Sequence, residues 1–230
     1  MAHGKFIVIE GSDGVGKGTQ TREFYNYATQ QLKRSILRLS FPRYGKDSAY
    51  YAGRYLDGAY GSANDVPAEL GILPFAIDRF AASKEINDHL RKDPNNIVLS
   101  DRYMASNLAH QGTKINDKKE RKRFYEQTMH TEYEILGIPR AAKNIVLLLP
   151  VSHAQANVDK KDPSIRTYTD KKRDVHESSA DHLEKAQRNY QELCEYYPEE
   201  FTSIICSKKD GSMRTINEIQ NDIRKLLKDI

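Results

Sequence analysis

The chain has 230 residues, with 36 Lys and Arg against 32 Asp and Glu and a formal net charge of +4. That excess is too small to mark a nucleic-acid binder by itself, and 38% apolar residues suffice for a folded core under a heavily charged surface. The two cysteines, Cys194 and Cys206, have no metal or redox spacing, no apolar run is long enough to span a membrane, and Met1–Lys5 carries no signal-peptide pattern; a soluble, cytoplasmic chain is expected.

In chain order, "KFIVIE" (Lys5–Glu10) reads as a buried strand ending at glycines. Phe24, Ala28 and Leu32 recur at helical spacing, so a helix is expected from about Gly16 to Lys33. Ser35–Ser40 is a second strand, closed by Phe41-Pro42-Arg43. Leu70, Leu73, Ile77 and Phe80 mark a helix, interrupted or kinked by Pro74. Asn96–Tyr103 is a third strand, with helical sequence from about Met104. A charged helix runs from Asp117 to Leu136, and Lys143–Pro150 is the most apolar strand. From Val151 to Ser178 periodicity is lost and charge dominates; a segment of this length reads as a lid, about residues 152–178. Leu183, Ala186, Tyr190, Leu193 and Tyr197 resume a helix, Thr202–Ser207 is a last strand and Arg214–Lys228 a last helix. Strands alternating with helices predict one three-layer α/β domain over residues 1–230, with a parallel sheet of about five strands.

"GSDGVGKGTQ" (Gly11–Gln20) follows the first strand and opens the first helix, the context that a P-loop requires. Gly11, Gly14 and Gly16 let the backbone curl so that the N–H groups of Ser12 through Thr19, including those of Asp13 and Val15, turn toward a phosphate, while Lys17 reaches the outer phosphates. The usual hydroxyl after the lysine is replaced by Gly18, and Thr19 arrives one residue late. A guanine-reading N-K-x-D is absent. Asp101 ends a central strand, where α/β sheets bind ligands, and Arg102 beside it offers a planar fork for phosphate oxygens. Arg43 ends another strand and is expected on the same edge, so two arginines and a lysine would converge on a donor and an acceptor phosphate.

Taken together, "EGSDGVGKGTQ", "FPRYG", "LPFAIDRFA" and "DRYMASN" resemble thymidylate kinases in order and spacing, from about Phe6 to Gly112, with a weaker likeness at "NIVLLLPVS" and the lid. The F-P-R lies too early for an adenylate kinase. Phe75 and Arg79 are four apart on one helix face, a ring to stack on a pyrimidine and a guanidinium to donate to its carbonyl. Core packing for Phe75 and a surface ion pair for Arg79 are the competing reading. The resemblance implies that they grip thymine, that Ser106, Asn107 and Gln111 stand beside base and sugar, and that Tyr44 and Asp13 lie near the acceptor's phosphate and sugar. It further implies a homodimer, and with Gly14 in the loop it implies a catalytic arginine on the lid, Arg166 or Arg173.

The expected activity is transfer of the γ-phosphoryl group of ATP to dTMP in dTTP synthesis, with Mg²⁺ supported by Asp101 or Asp13 and Thr19 on an inner phosphate. Another nucleoside monophosphate or a deoxynucleoside as acceptor, and a non-catalytic nucleotide- or nucleic-acid-binding protein, are the alternatives. Against the last, "KKERKR" (Lys118–Arg123) interleaves with Glu120 and reads as a solvated helix face, and the seven histidines lack zinc spacing. One position departs from the resemblance: His110 stands where the family carries Tyr or Phe near the sugar. It is expected either to relax exclusion of a ribose 2′-hydroxyl or to pack neutrally while Tyr44 or Tyr103 excludes it.

Overall fold

A computed structural model describes residues 3–62, 65–159 and 180–228. Most of the expected lid, with Arg166 and Arg173, lies outside the described residues. The elements are β1 (Lys5–Gly11), α1 (Lys17–Gln30), β2 (Ile36–Ser40), α2 (Tyr50–Leu56), α3 (Ala68–Gly71), α4 (Leu73–Lys92), β3 (Ile97–Asp101), α5 (Met104–Gln111), α6 (Lys118–Met129), β4 (Lys143–Leu148), α7 (Val151–Asp159), α8 (Ala180–Tyr196), β5 (Phe201–Ile205) and α9 (Ile216–Leu226).

The three central strands β1, β3 and β4 are short apolar runs buried on both faces, as the middle of a parallel sheet requires, while the edge strands β2 and β5 are partly exposed. All pairings are parallel, in the order β2-β3-β1-β4-β5. Alternate residues feed two cores: Phe6, Val8, Val98 and Val146 pack beneath α4, α5, α6 and α8, while Ile7, Ile9, Leu99 and Ile145 pack against α1 and α9. The chain leaves β1 for β2 and β3 on one side and crosses to β4 on the other. This order opens a crevice at the carboxyl ends of β1 and β3, where Ile9 pairs with Asp101 and Asp101 with Ser40.

Three details differ from the sequence reading. The helix marked by Leu70, Leu73, Ile77 and Phe80 is two helices that break at Ile72; Pro74 sits in the first turn of α4, where its missing N–H costs no bond. Its marker residues point outward, 45–56% exposed, whereas Ala76, Asp78, Arg79, Ala82 and Ile86 are buried. Residues 151–159, expected to be irregular, form α7. Finally, the charged helix continues past α6 as a π-helical turn over His130–Ile135.

Candidate active site

Positive φ angles at Gly11 (135°), Gly14 (82°) and Gly16 (96°) curl the loop as expected. The curl brings Lys17 back over it: Nζ donates to the Ser12 carbonyl at 2.7 Å and lies 3.7 Å from Asp13 Oδ1. The first turn of α1 has no acidic residue and no side-chain cap, which leaves its N-terminal dipole to an anion. Glycine is required at position 14 on a second ground. A Cβ there would come 2.0 Å from the Ala154 carbonyl oxygen, because α7 lies directly on the loop; Asn157 Nδ2 donates to the Gly14 carbonyl at 2.9 Å. An arginine cannot occupy this point in this arrangement. Gly18 faces the end of β3, and a Cβ on it would stand 3.4 Å from Asp101 Oδ2. Thr19 is half-buried in α1, away from the cavity described below.

Arg102 links the loop to the rest of the site from a left-handed backbone, φ 66°, which is uncommon outside glycine and concentrates at functional positions. Its Nη2 pairs with Asp13 Oδ1, and Nη1 donates to Ser106 Oγ at 3.1 Å and to the Gly11 carbonyl at 3.4 Å. Burial alone would lower its pKa, but Asp13, Tyr190, Asp101 and Glu10 hold it well above the ordinary arginine value. Beneath it lies Glu10, fully buried, a carboxylate that motif reasoning did not single out. It accepts from Tyr103 N (2.7 Å), from Ser106 N (3.3 Å) and Oγ (2.8 Å), and from Tyr190 OH (3.2 Å), so it caps α5 from the core side. Burial raises its pKa above the usual carboxylate value, with Arg102 and these hydrogen bonds opposing.

A cavity of about 260 Å³ runs from Lys17, Gly18 and Asp101 to a far wall on α4 and α5. Tyr44, Phe75, Arg79, Ser106, Asn107, His110 and Gln111 all line it, together with Asp13 and Arg102. Arg43 does not. Its Nε donates to Asp78 Oδ1 at 2.9 Å and its Nη2 to Ser48 Oγ and the Asp78 carbonyl, which turns it toward α4.

Arg79 lines the cavity and is also held in an ion pair, a buried one and not a surface pair. Nε and Nη2 clasp the two oxygens of Glu132 at 2.7 and 2.6 Å, with 2% and 0% of the side chains exposed, and Nη1 donates to the Tyr103 carbonyl at 3.3 Å. Asn107 Nδ2 donates to the same carboxylate at 3.1 Å. This bidentate clasp presents a fixed guanidinium face to the cavity.

Ser106 belongs to the Glu10–Arg102 network rather than to the far wall. His110 Nδ1 lies 3.2 Å from His182 Nε2, with the rings stacked at 5.5 Å. Burial lowers the His182 pKa to about 4, with Asp13 opposing. Tyr103 cannot carry its hydroxyl to a sugar, since it donates to the Pro139 carbonyl at 3.0 Å. Three cations of the basic run on α6 are engaged in ion pairs, Arg121 and Lys118 with Glu192 and Lys122 with Glu126. No group of three acidic, His or Cys side chains suited to a metal ion is assembled among the described residues. Nor is any helix among them long and apolar enough to cross a membrane.

A family model described as thymidylate kinase matches residues 9–216. The thymidylate kinase of Mycobacterium tuberculosis strain H37Rv is 32% identical over 142 residues, 61% of this chain and 64% of that protein, so the match spans somewhat less than two thirds of that relative. The thymidylate kinase of Prochlorococcus marinus strain NATL1A is 28% identical over 232 residues, 98% of either chain. Among solved structures, thymidylate kinase from Candida albicans aligns with TM-score 0.68 at 18% identity, over 100% of this chain and 93% of its own. That from Ehrlichia chaffeensis aligns at 0.63 and 15%, over 97% and 98%. These likenesses show the same fold, a five-stranded parallel sheet flanked by helices, the P-loop NTPase architecture.

Proposed function

Because the chain belongs to the thymidylate kinase family, we propose that it transfers the γ-phosphoryl group of ATP to dTMP, giving dTDP and ADP for dTTP synthesis. The observation that carries this reading is the continuity of one cavity from Lys17 at the phosphate loop, past Arg102, to Phe75 and the clasped Arg79. With a donor phosphate at the loop and the acceptor's base at the far wall, the acceptor's phosphate would meet the donor beside Arg102. The attacking phosphate oxygen is already anionic at neutral pH, so no general base is required; positioning and cations supply catalysis. Lys17 and the loop N–H groups would hold the donor's outer phosphates. Arg102, kept protonated by its carboxylates, would steady both phosphates while Asp13 holds its fork in place. Phe75 offers a stacking face and Arg79 N–H donors to a base carbonyl. Arg166 or Arg173 would add a cation from the lid.

Asp101 fits a magnesium ion: its carboxylate faces the end of the loop beside Gly18, where a side chain would otherwise stand. Asp13 is committed to Arg102 and Lys17, so we assign the metal to Asp101, with phosphate oxygens and water as the remaining ligands. When bound, the ion neutralises charge on the transferring phosphates. The outward stripe of Leu70, Leu73, Ile77 and Phe80 supports a homodimer joined through α3 and α4. Two free cysteines accord with a cytoplasmic enzyme.

The test is ADP release in a coupled assay with ATP, Mg²⁺ and dTMP, dUMP, UMP or CMP as acceptor, on the wild type and Lys17→Ala. Turnover with dTMP above the others, abolished in Lys17→Ala with dTMP binding retained, is expected. Preference for another acceptor would replace this reading.

A further inference from the structure

One wall of the acceptor cavity has its hydrogen-bond polarity set from behind. Lys114, in the turn after α5, donates from Nζ to the Val66 carbonyl at 2.6 Å and lies 3.1 Å from Tyr55 OH and 5.5 Å from the Tyr55 ring centre. An ammonium group carries three protons and no lone pair, so in that contact the tyrosine oxygen must be the acceptor. The Tyr55 hydroxyl in turn donates to Gln111 Oε1 at 3.2 Å. With its oxygen engaged by Tyr55, the Gln111 amide is left to address the cavity that it lines through its NH₂ group. Among the described residues no hydrogen bond engages that nitrogen. Gly71 provides the room for this arrangement, because a Cβ there would come 2.2 Å from Gln111 Oε1 and 3.2 Å from Lys114 Nζ. Tyr55 also sets its edge against Phe75, 5.7 Å between ring centres at 83°, so the same residue supports the stacking surface.

We propose that Lys114 is a specificity-determining positioning residue that, acting through Tyr55, holds the Gln111 amide with its NH₂ toward the acceptor base, so that the cavity selects a pyrimidine bearing ring carbonyls over one bearing an exocyclic amine. Arg79 adds N–H donors to the same cavity. A carbonyl satisfies such a wall, whereas an amine sets donor against donor and leaves buried N–H groups unpaired, the kind of mismatch that polar sites reject strongly. The inference rests on the acceptor proposed above, and it explains how a wall built around an amide, which could face either way, would have one direction.

The experiment compares affinities for dTMP and dCMP, measured by competition in titration calorimetry at pH 7, for wild type, Lys114→Met, Lys114→Arg and Tyr55→Phe. In Lys114→Met and Tyr55→Phe the preference for dTMP is expected to fall about tenfold, with kcat at saturating dTMP within about threefold of wild type. Lys114→Arg, also a donor without a lone pair, is expected to keep the preference. Should Lys114→Met not fold, Tyr55→Phe decides alone, since it removes the hydroxyl and keeps the ring. A preference unchanged within about threefold in the Tyr55→Phe protein would overturn the relay. A wild type with no preference for dTMP would instead overturn the proposed acceptor and leave the hydrogen-bond geometry standing.

Discussion

Replacing Glu132 by Gln keeps the shape of the side chain and removes its charge. Arg79 would then sit 2% exposed with its fork facing one neutral amide oxygen and the Tyr103 carbonyl in place of a carboxylate. Breaking a buried ion pair from one side costs roughly 3–5 kcal/mol, because the remaining charge is desolvated without compensation. The amide oxygen still accepts one N–H, so the lower end applies, about 3 kcal/mol. For a chain of this size each kcal/mol moves Tm by about 2–4 °C, which predicts a fall of about 6–12 °C by scanning calorimetry. Loss of the two-point clasp also frees the guanidinium to turn, so dTMP should bind more than about tenfold more weakly while ATP affinity stays within about threefold. Titration calorimetry with each nucleotide separates the two. A Tm within about 2 °C of wild type, or equal losses for ATP and dTMP, would refute the assignment of Glu132 as the residue that orients Arg79.

Gly14→Ala forces a side chain into a left-handed backbone and toward the Ala154 carbonyl; KM for ATP should rise at least about tenfold with dTMP affinity unchanged, and an unchanged KM would show that α7 gives way freely. His110→Tyr should raise the ratio of kcat/KM for dTMP over ribo-TMP; ratios equal within about threefold would mean that His110 is a packing residue and not a sugar gate. Stability should fall on acidification between about pH 6.5 and 4, because the unfolded chain protonates His182 near the ordinary value while the folded chain resists until about 4. His182→Gln should flatten that part of a denaturant-midpoint profile; an identical profile would place the acid sensitivity elsewhere, Glu10 being raised by burial in the opposite sense.

What could be read from the sequence was what local chemistry dictates. The loop, the strand end at Asp101, and the shared face of Phe75 and Arg79 each lie within a few residues of the signal that reveals them. Most of the cavity lining followed from these motifs. What could not be read is pairing across the chain: Arg79 meets Glu132 from 53 residues away, Tyr103 meets Glu10 from 93, and Tyr55 meets Gln111 from 56. Nothing in the charged run over residues 117–136 distinguishes Glu132 from its exposed neighbours. Arg43 was misplaced for the same reason: its partner Asp78 stands in the motif stretch of α4, but 35 residues away, and nothing local shows that the two meet. The outward apolar face of α4 shows a different limit. Periodicity reports that a helix has an apolar stripe, but not whether the stripe meets this chain's own core. In α7, the residues that matter are Ala154 and Asn157, whose partner is the Gly14 backbone, and backbone carries no sequence signal.

The π-helical turn that carries Glu132 has a bearing on how such chains are aligned and altered. Bonding from i to i+5 amounts to one extra residue threaded into an otherwise α-helical register. The counter-charge to Arg79 is thus specified by chain length as much as by residue type. Removing Thr131, just before Glu132, would give a more regular helix and swing the carboxylate by about 100°, away from the guanidinium. Local backbone regularity and acceptor recognition therefore pull in opposite directions at this turn. In a relative whose helix is one residue shorter, a glutamate in the matching alignment column would not be the same charge in space.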